Sequence, residues 1–114
     1  MVRFAVVIVT YNDIDTIEQT LRSVKHLGAW DYIIIMVDNQ STDGTGDLLR
    51  HFPDIKLIVN PSNIGFGAAN NIGMSSIDAE YYLLINSDAY LQDGKIFRVL
   101  DYLDANPDVG IASR

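Results

Sequence analysis

Four clusters of small polar residues carry the chemistry open to this sequence, and each directly follows a run of apolar residues. Thr10-Tyr11-Asn12-Asp13 follows Phe4–Val9, and Asp38 to Thr45 (Asp-Asn-Gln-Ser-Thr-Asp-Gly-Thr) follows Tyr32–Val37. Asn60-Pro61-Ser62-Asn63 follows Ile55–Val59, and Asn86-Ser87-Asp88 follows Tyr81–Ile85. A carboxylate that closes a buried strand, as Asp38 does, can accept hydrogen bonds from a base N–H or a ribose hydroxyl. Asp88 offers the hard oxygen that Mg²⁺ or Mn²⁺ prefers, a cation that needs one or two protein carboxylates and takes its other ligands from water and phosphate. Asn86 can add an amide oxygen or meet a ribose, and Tyr11 can lay its ring on a nucleobase between Thr10 and Asn12.

Each cluster also has a plainer explanation. Asn, Asp, Ser and Gly are the residues of tight turns and helix caps. Taken alone, Thr10-Tyr11-Asn12 reads first as a strand-to-helix turn. Ser41-Thr42-Asp43-Gly44 is assigned to capping the next helix, where the macrodipole favours Asp43. Asn86-Ser87-Asp88 stands evenly between turn and ligand, because it shares its edge with Asp38. Asn63 to Gly73 contains Gly65, Gly67 and Gly73 with Ala68 and Ala69, which permits close approach of backbone to ligand or of helix to sheet. It lacks the Gly-Lys-Ser/Thr ending of a phosphate loop, and it does not follow the first strand as a dinucleotide fingerprint must.

The elements that position these clusters follow from hydrophobic spacing. The apolar runs, with a fifth at Val109–Ala112, are nearly continuous, as strands buried on both faces are. Between them Ile14, Ile17, Leu21, Val24 and Leu27 mark a first helix, with Asp15 and Glu18 as its capping box and Gly28 as its stop. A second helix is expected from Asp43 to Phe52, halted by Pro53, and a third from Phe66 to Ser76. A fourth carries Ile96, Val99, Leu100 and Leu103 and ends at Asn106-Pro107. Repeated strand–helix–strand units predict an α/β domain on a mainly parallel sheet with helices on both faces. Ligands of such sheets sit beyond the carboxyl ends of the strands, which is where all four clusters fall.

Composition narrows the partners. The chain has 114 residues, one domain in size, with a formal charge of −7. That charge argues against nucleic acid, whose phosphates need an excess of Lys and Arg. A negative protein that handles phosphate draws positive potential from a metal ion, helix N-termini or backbone amides. No apolar run approaches the roughly 20 residues that span a bilayer, and Met-Val-Arg leads straight into a strand without a signal-peptide pattern. The absence of cysteine rules out disulfides and thiolate metal sites and is compatible with a cytoplasmic protein.

The succession Val9-Thr10-Tyr11-Asn12, Val37 to Thr45, Asn63 to Asn70 and Asn86-Ser87-Asp88 resembles the family 2 glycosyltransferases across essentially the whole chain, with four motifs in the family's order. The resemblance implies a Rossmann-like three-layer α/β/α sandwich of the GT-A type, here its donor-binding part only (residues 1–114), with the acceptor-binding part absent. By resemblance Thr10, Tyr11 and Asp38 contact base and ribose, within a nucleotide-binding set that also includes Asn12, Asn39, Asn63, Gly65, Asn70 and Asn86. Asn86-Ser87-Asp88 occupies the place of the family's Asp-x-Asp motif, so Asp88 is implied to hold a Mg²⁺ or Mn²⁺ that bridges the donor diphosphate. Asn in place of the first Asp resembles the rhamnosyltransferase-like branch of cell-surface polysaccharide synthesis and leaves metal dependence open.

The implied reaction is inverting displacement at the anomeric carbon of a dTDP- or UDP-linked sugar by a saccharide or lipid-linked acceptor. The family's catalytic base falls beyond Arg114, and Asp101, Asp104 and Asp108 are not assigned that role. The stretch alone is therefore expected to be inactive. The parent enzyme is expected in the cytoplasm, with peripheral membrane association through the missing part.

Three rival readings stand outside the family. A phosphate-accepting receiver domain matches in length, but it needs an Asp after the third strand and a Lys after the fifth; Asn60-Pro61 stands at the first place, and no Lys follows Ala112. A nucleotide-binding module without catalysis would keep the same motifs. A sugar nucleotidyltransferase would need a Gly-rich, Arg-containing loop after the first strand, which is absent.

Overall fold

The computed structural model describes residues 2–24, 32–87 and 109–113. The chain runs through β1 (Val2–Thr10), α1 (Ile17–Val24), β2 (Tyr32–Asp38), α2 (Thr45–Leu49), β3 (Ile55–Val59), α3 (Phe66–Ser75), β4 (Ala79–Asn86) and β5 (Val109–Ser113). The strands form one sheet in the order β3-β2-β1-β4-β5. The first four are mutually parallel, while β5 runs antiparallel to β4. The mainly parallel sheet expected from the sequence is thus present, though its last strand does not return through a parallel crossover. The fourth expected helix, Leu27 and Gly28 lie outside the described residues.

β1 is central, and its residues Ala5 to Val9 are almost wholly buried. Alternation along the strands divides the core into two layers. Val6, Ile8, Ile34, Met36, Leu83 and Ile85 pack with Ile17, Leu21 and Val24 of α1 and Leu49 of α2. Ala5, Val7, Val9, Ile35, Val37 and Tyr82 pack on the other face with Ala69 of α3. The second face is close-fitting. A Cβ on Gly73 would lie 2.5 Å from Val7 Cγ1 and 3.2 Å from Val37 Cγ2, so glycine is what lets α3 approach the sheet.

Two helix starts differ from expectation. α1 begins at Ile17, after a turn in which Asp13 O accepts the N–H groups of Thr16 and Ile17 at 3.1 and 2.9 Å. Ile14 belongs to that turn and is exposed. Glu18 is engaged by Arg22 at 2.8 Å rather than folding back on Asp15 as a capping box. α2 is shorter than the span from Asp43 to Phe52. Gly44 enters it in the left-handed region at φ 96°, and its end tightens through bonds from His51 N to Leu48 O and Phe52 N to Leu49 O. Among the described residues no helix is long and apolar enough to cross a membrane.

Candidate nucleotide-binding edge

The parallel register brings the strand ends level. Thr10 stands beside Asp38, and Val9 stands beside Asn86. The ladder extends one step further through Asn39 N to Thr10 O at 2.9 Å and Asn60 N to Asp38 O at 2.8 Å. From β1 the chain first winds outward to β2 and β3 and then crosses back to β4 on the other side. The carboxyl ends of β1 and β4 are therefore the topological switch point, where loops diverge and leave the crevice that open α/β sheets use for ligands.

Asp13 spans that point. Its Oδ2 accepts hydrogen bonds from the Thr10 hydroxyl at 3.0 Å, the Tyr11 N–H at 3.1 Å and the Ser87 hydroxyl. The Ser87 carbonyl in turn accepts the Thr20 hydroxyl at 2.7 Å and the Thr16 hydroxyl at 3.4 Å. The β1–α1 segment thus grips the first residue beyond β4. Asp13 was not among the site residues picked from the sequence, because a lone Asp after Asn12 has the same appearance as any turn residue.

The β1–α1 and β2–α2 loops are stitched together. Asn12 Oδ1 accepts the Thr42 N–H at 2.7 Å, while the Asn12 N–H donates to Ser41 Oγ at 2.9 Å. The Ile14 N–H donates to Asp43 Oδ2 at 3.1 Å. Asp38 is buried, and its Oδ1 accepts the Ser41 hydroxyl at 2.5 Å and the Ser41 N–H at 3.1 Å. Asn12 and Gln40 both adopt positive φ, at 53° and 67°, a conformation that costs a non-glycine residue about 1 kcal/mol or more. Such strain persists where surrounding bonds over-determine the backbone, as they do here. Asp43 also accepts the Thr45 hydroxyl and N–H, and the hydroxyl bond chiefly holds its carboxyl below the ordinary carboxylate range. Asp43 thus closes a turn on Thr45 just ahead of α2, while the N-cap itself is Gly44 with no side-chain capping bond, and Ser41 and Thr42 bond to Asp38 and Asn12 instead of capping the helix as expected.

Asp38 Oδ2 is left out of the bonds to Ser41. A Cβ on Gly46 would come within 3.0 Å of it, so the missing side chain keeps space beside this oxygen. On the far side, Asn39 is fully buried. It accepts the Asn60 amide at 2.8 Å and donates to Gly65 O at 3.3 Å, tying β2, β3 and the start of α3 together. Asn63 Oδ1 accepts the Gly65 N–H at 3.0 Å, and Gly65 sits at φ 85°.

The structure therefore sorts the residues chosen from the sequence. Thr10, Asp38 and Asn39 are buried parts of the edge, Asn12 and Asn63 shape exposed turns, and Asn70 is half-buried on α3. Tyr11 is exposed beside the switch point. Asn86 is the last residue of β4, and Asp88 lies outside the described residues. Among the described residues, no group of three or more His, Cys, Asp or Glu side chains is placed to hold a metal ion. Buried Asn60, unremarked in the sequence beyond its turn, proves to be a partner of Asn39.

Comparison with known proteins decides the family. The sequence model of glycosyl transferase family 2 matches residues 5–114. The chain belongs to that family. It is 28% identical over 103 residues to a poly-beta-1,6-N-acetyl-D-glucosamine synthase of Staphylococcus epidermidis, covering 88% of this chain and 25% of that one. The family 2 chain thus spans about a quarter of that relative. Its fold is similar to that of S. aureus TarS in complex with UDP, with a TM-score of 0.77 at 22% identity over 92% of this chain and 33% of the other. It also resembles the mannosyltransferase PcManGT from Pyrobaculum calidifontis, solved with GDP-Man and Mn²⁺, with a TM-score of 0.76 at 23% identity, covering 90% and 32%. The architecture is accordingly that of the GT-A glycosyltransferases.

Proposed function

We propose that the carboxyl edge of this sheet binds the nucleoside diphosphate of a sugar donor, and that the protein to which the chain belongs transfers that sugar in cell-surface polysaccharide synthesis. The observation that carries this reading is the switch point itself. There Asp13 joins the end of β1 to Ser87, with Asp38 beside Thr10 on one side and Asn86 beside Val9 on the other. Family membership and a polymer-synthesising relative support the reaction class.

In this reading Tyr11 lays its exposed ring against the base. The spare oxygen of Asp38, beside the gap left by Gly46, accepts from base or ribose, and Asn86 takes a further ribose contact. Thr10, Asn12, Asn39, Asn63, Gly65 and Asn70 complete the nucleotide-binding set, chiefly by holding the loops in shape. A diphosphate brought to a chain of net charge −7 calls for positive potential, which a divalent cation can supply. Asp88 is the proposed ligand, in keeping with Mg²⁺ or Mn²⁺ sites that use one or two carboxylates and substrate phosphate. That ion would supply charge stabilisation for the departing diphosphate.

The finer reaction is proposed as inverting hexosyl transfer from a dTDP- or UDP-sugar to a saccharide or lipid-linked acceptor. Acceptor-binding residues and the catalytic base belong to the remainder of the protein, so residues 1–114 bind donor without transferring it. The reaction is placed on the cytoplasmic side of the membrane, with peripheral association through the remainder. Calorimetric titration of UDP, dTDP and GDP with and without Mn²⁺ tests the reading. Binding that needs Mn²⁺ and is lost in Asp88→Ala supports it, whereas absence of binding by all three nucleotides removes it.

A further inference from the structure

β4 ends at Asn86, and what holds the next residue comes from the side, out of β1 and α1. The Ser87 hydroxyl donates to Asp13 Oδ2, while its carbonyl accepts from Thr20 and Thr16. Ser87 and Thr20 are both buried, at 6% and 1% exposure, so these bonds are shielded from competing water. Gripping a hydroxyl and a carbonyl of one residue from two directions fixes its side chain and its peptide plane. The same Asp13 oxygen takes the Tyr11 N–H, so a single carboxylate fixes the backbone at the proposed base-contacting residue and at the residue preceding the proposed metal ligand.

We propose that Asp13 is a positioning residue for the diphosphate-binding end of the site, acting through Ser87 with Thr20 as its counterpart. The inference rests on the reading that Asp88 holds the metal. Groups that orient metal ligands typically alter affinity by about ten- to a hundredfold when removed. Asp13 deserves the role over Asp43, whose bonds all go to the β1–α1 turn and the start of α2 and none to β4.

The test combines UDP titration, with and without Mn²⁺, and amide hydrogen exchange at Ser87 and Asp88, in the wild-type chain and in Asp13→Ala, Asp13→Asn, Thr20→Val and Ser87→Ala. Asp13→Ala is expected to weaken UDP binding in the presence of Mn²⁺ about ten- to a hundredfold. Asp13→Asn, which keeps an oxygen acceptor, recovers most of the loss. Adding Ser87→Ala to Asp13→Ala brings little further loss, because both act through one bond. Exchange at Ser87 and Asp88 accelerates about tenfold in Asp13→Ala and in Thr20→Val.

Unchanged UDP affinity in Asp13→Ala with Mn²⁺ present, no recovery in Asp13→Asn, additive effects of the two alanine changes, or unchanged exchange at Ser87 and Asp88 would overturn the inference. If Asp13→Ala does not fold, Asp13→Asn and Thr20→Val carry the exchange test. A wild-type chain that binds no UDP with Mn²⁺ yet shows the predicted exchange changes refutes the functional reading and leaves Asp13 as the anchor of the turn.

Discussion

The loops after β1 and β2 and the loop after β3 are made of the same residue types, yet they behave differently. The first two are cross-linked through Asn12, Ser41, Thr42 and Asp43, with Asp38 and Asp13 tying each back to a strand end. The third is exposed from Pro61 to Ala68, and is fixed mainly through Asn39, Asn60 and the Asn63–Gly65 turn. Phe66 in this loop region is 57% exposed, against 39% for Tyr11. Polar residues at a sheet edge therefore have two employments. In the stitched region most are consumed in building the edge, while the ring of Tyr11 stays exposed. In the β3–α3 region Asn39 holds the turn from beneath and the surface stays open.

The contrast can be broken by substitution. The largest expected effect lies beneath both regions: Gly73→Val drives a branched side chain into Val7 and Val37 and lowers stability by about 3 kcal/mol, or abolishes folding, as read by thermal melting. Next, Asn39→Ala orphans the buried Asn60 amide and frees Gly65 O, and should cost about 2–3 kcal/mol in denaturant unfolding. If Asn39→Ala is neutral, the β3–α3 loop is independent of the edge and the contrast is sharper than described. Tyr11→Ala should leave stability within about 0.5 kcal/mol and reduce UDP affinity by about 1–2 kcal/mol, as expected for loss of base stacking. A large loss of stability would instead place Tyr11 among the structural residues.

The smallest effect is one of pH. The Asp43 carboxyl is held below its ordinary range, principally by the Thr45 hydroxyl. A group depressed in the folded state stabilises above its unfolded pKa, and that stabilisation is lost as pH falls through the folded value. Below about pH 4 the stitched loops should loosen before the β3–α3 loop does. Asp43→Asn should flatten this acid limb, measurable as the pH dependence of exchange at the Ile14 and Thr45 amides.

The strands, their parallel course and the edge that gathers the polar clusters were legible because doubly buried strands read as continuous apolar runs. The start of α1 was not, since Ile14 fits the helical spacing but its N–H is taken by Asp43 from another loop. The antiparallel β5 was equally hidden, because strand direction is set by the connection and not by Val109–Ala112 itself. For the candidate site, Asp38 and Asn86 were read as strand-end residues, and β2 and β4 do end at them. Asp13 and Asn60 were missed because their significance lies in partners 74 and 21 residues away. Thr10 and Asn39 were chosen for ligand contact, yet the structure engages both with the protein itself.

The central claim is that a nucleoside diphosphate binds at the carboxyl edge around the β1–β4 switch point. Amide chemical-shift mapping with UDP and Mg²⁺ tests it most directly. The account predicts perturbations concentrated at Tyr11, Asn12, Asp38 and Asn86 to Asp88, with β3 and the amino ends of the strands silent. Perturbations centred on the amino edge, or on the exposed face of α3, would contradict it.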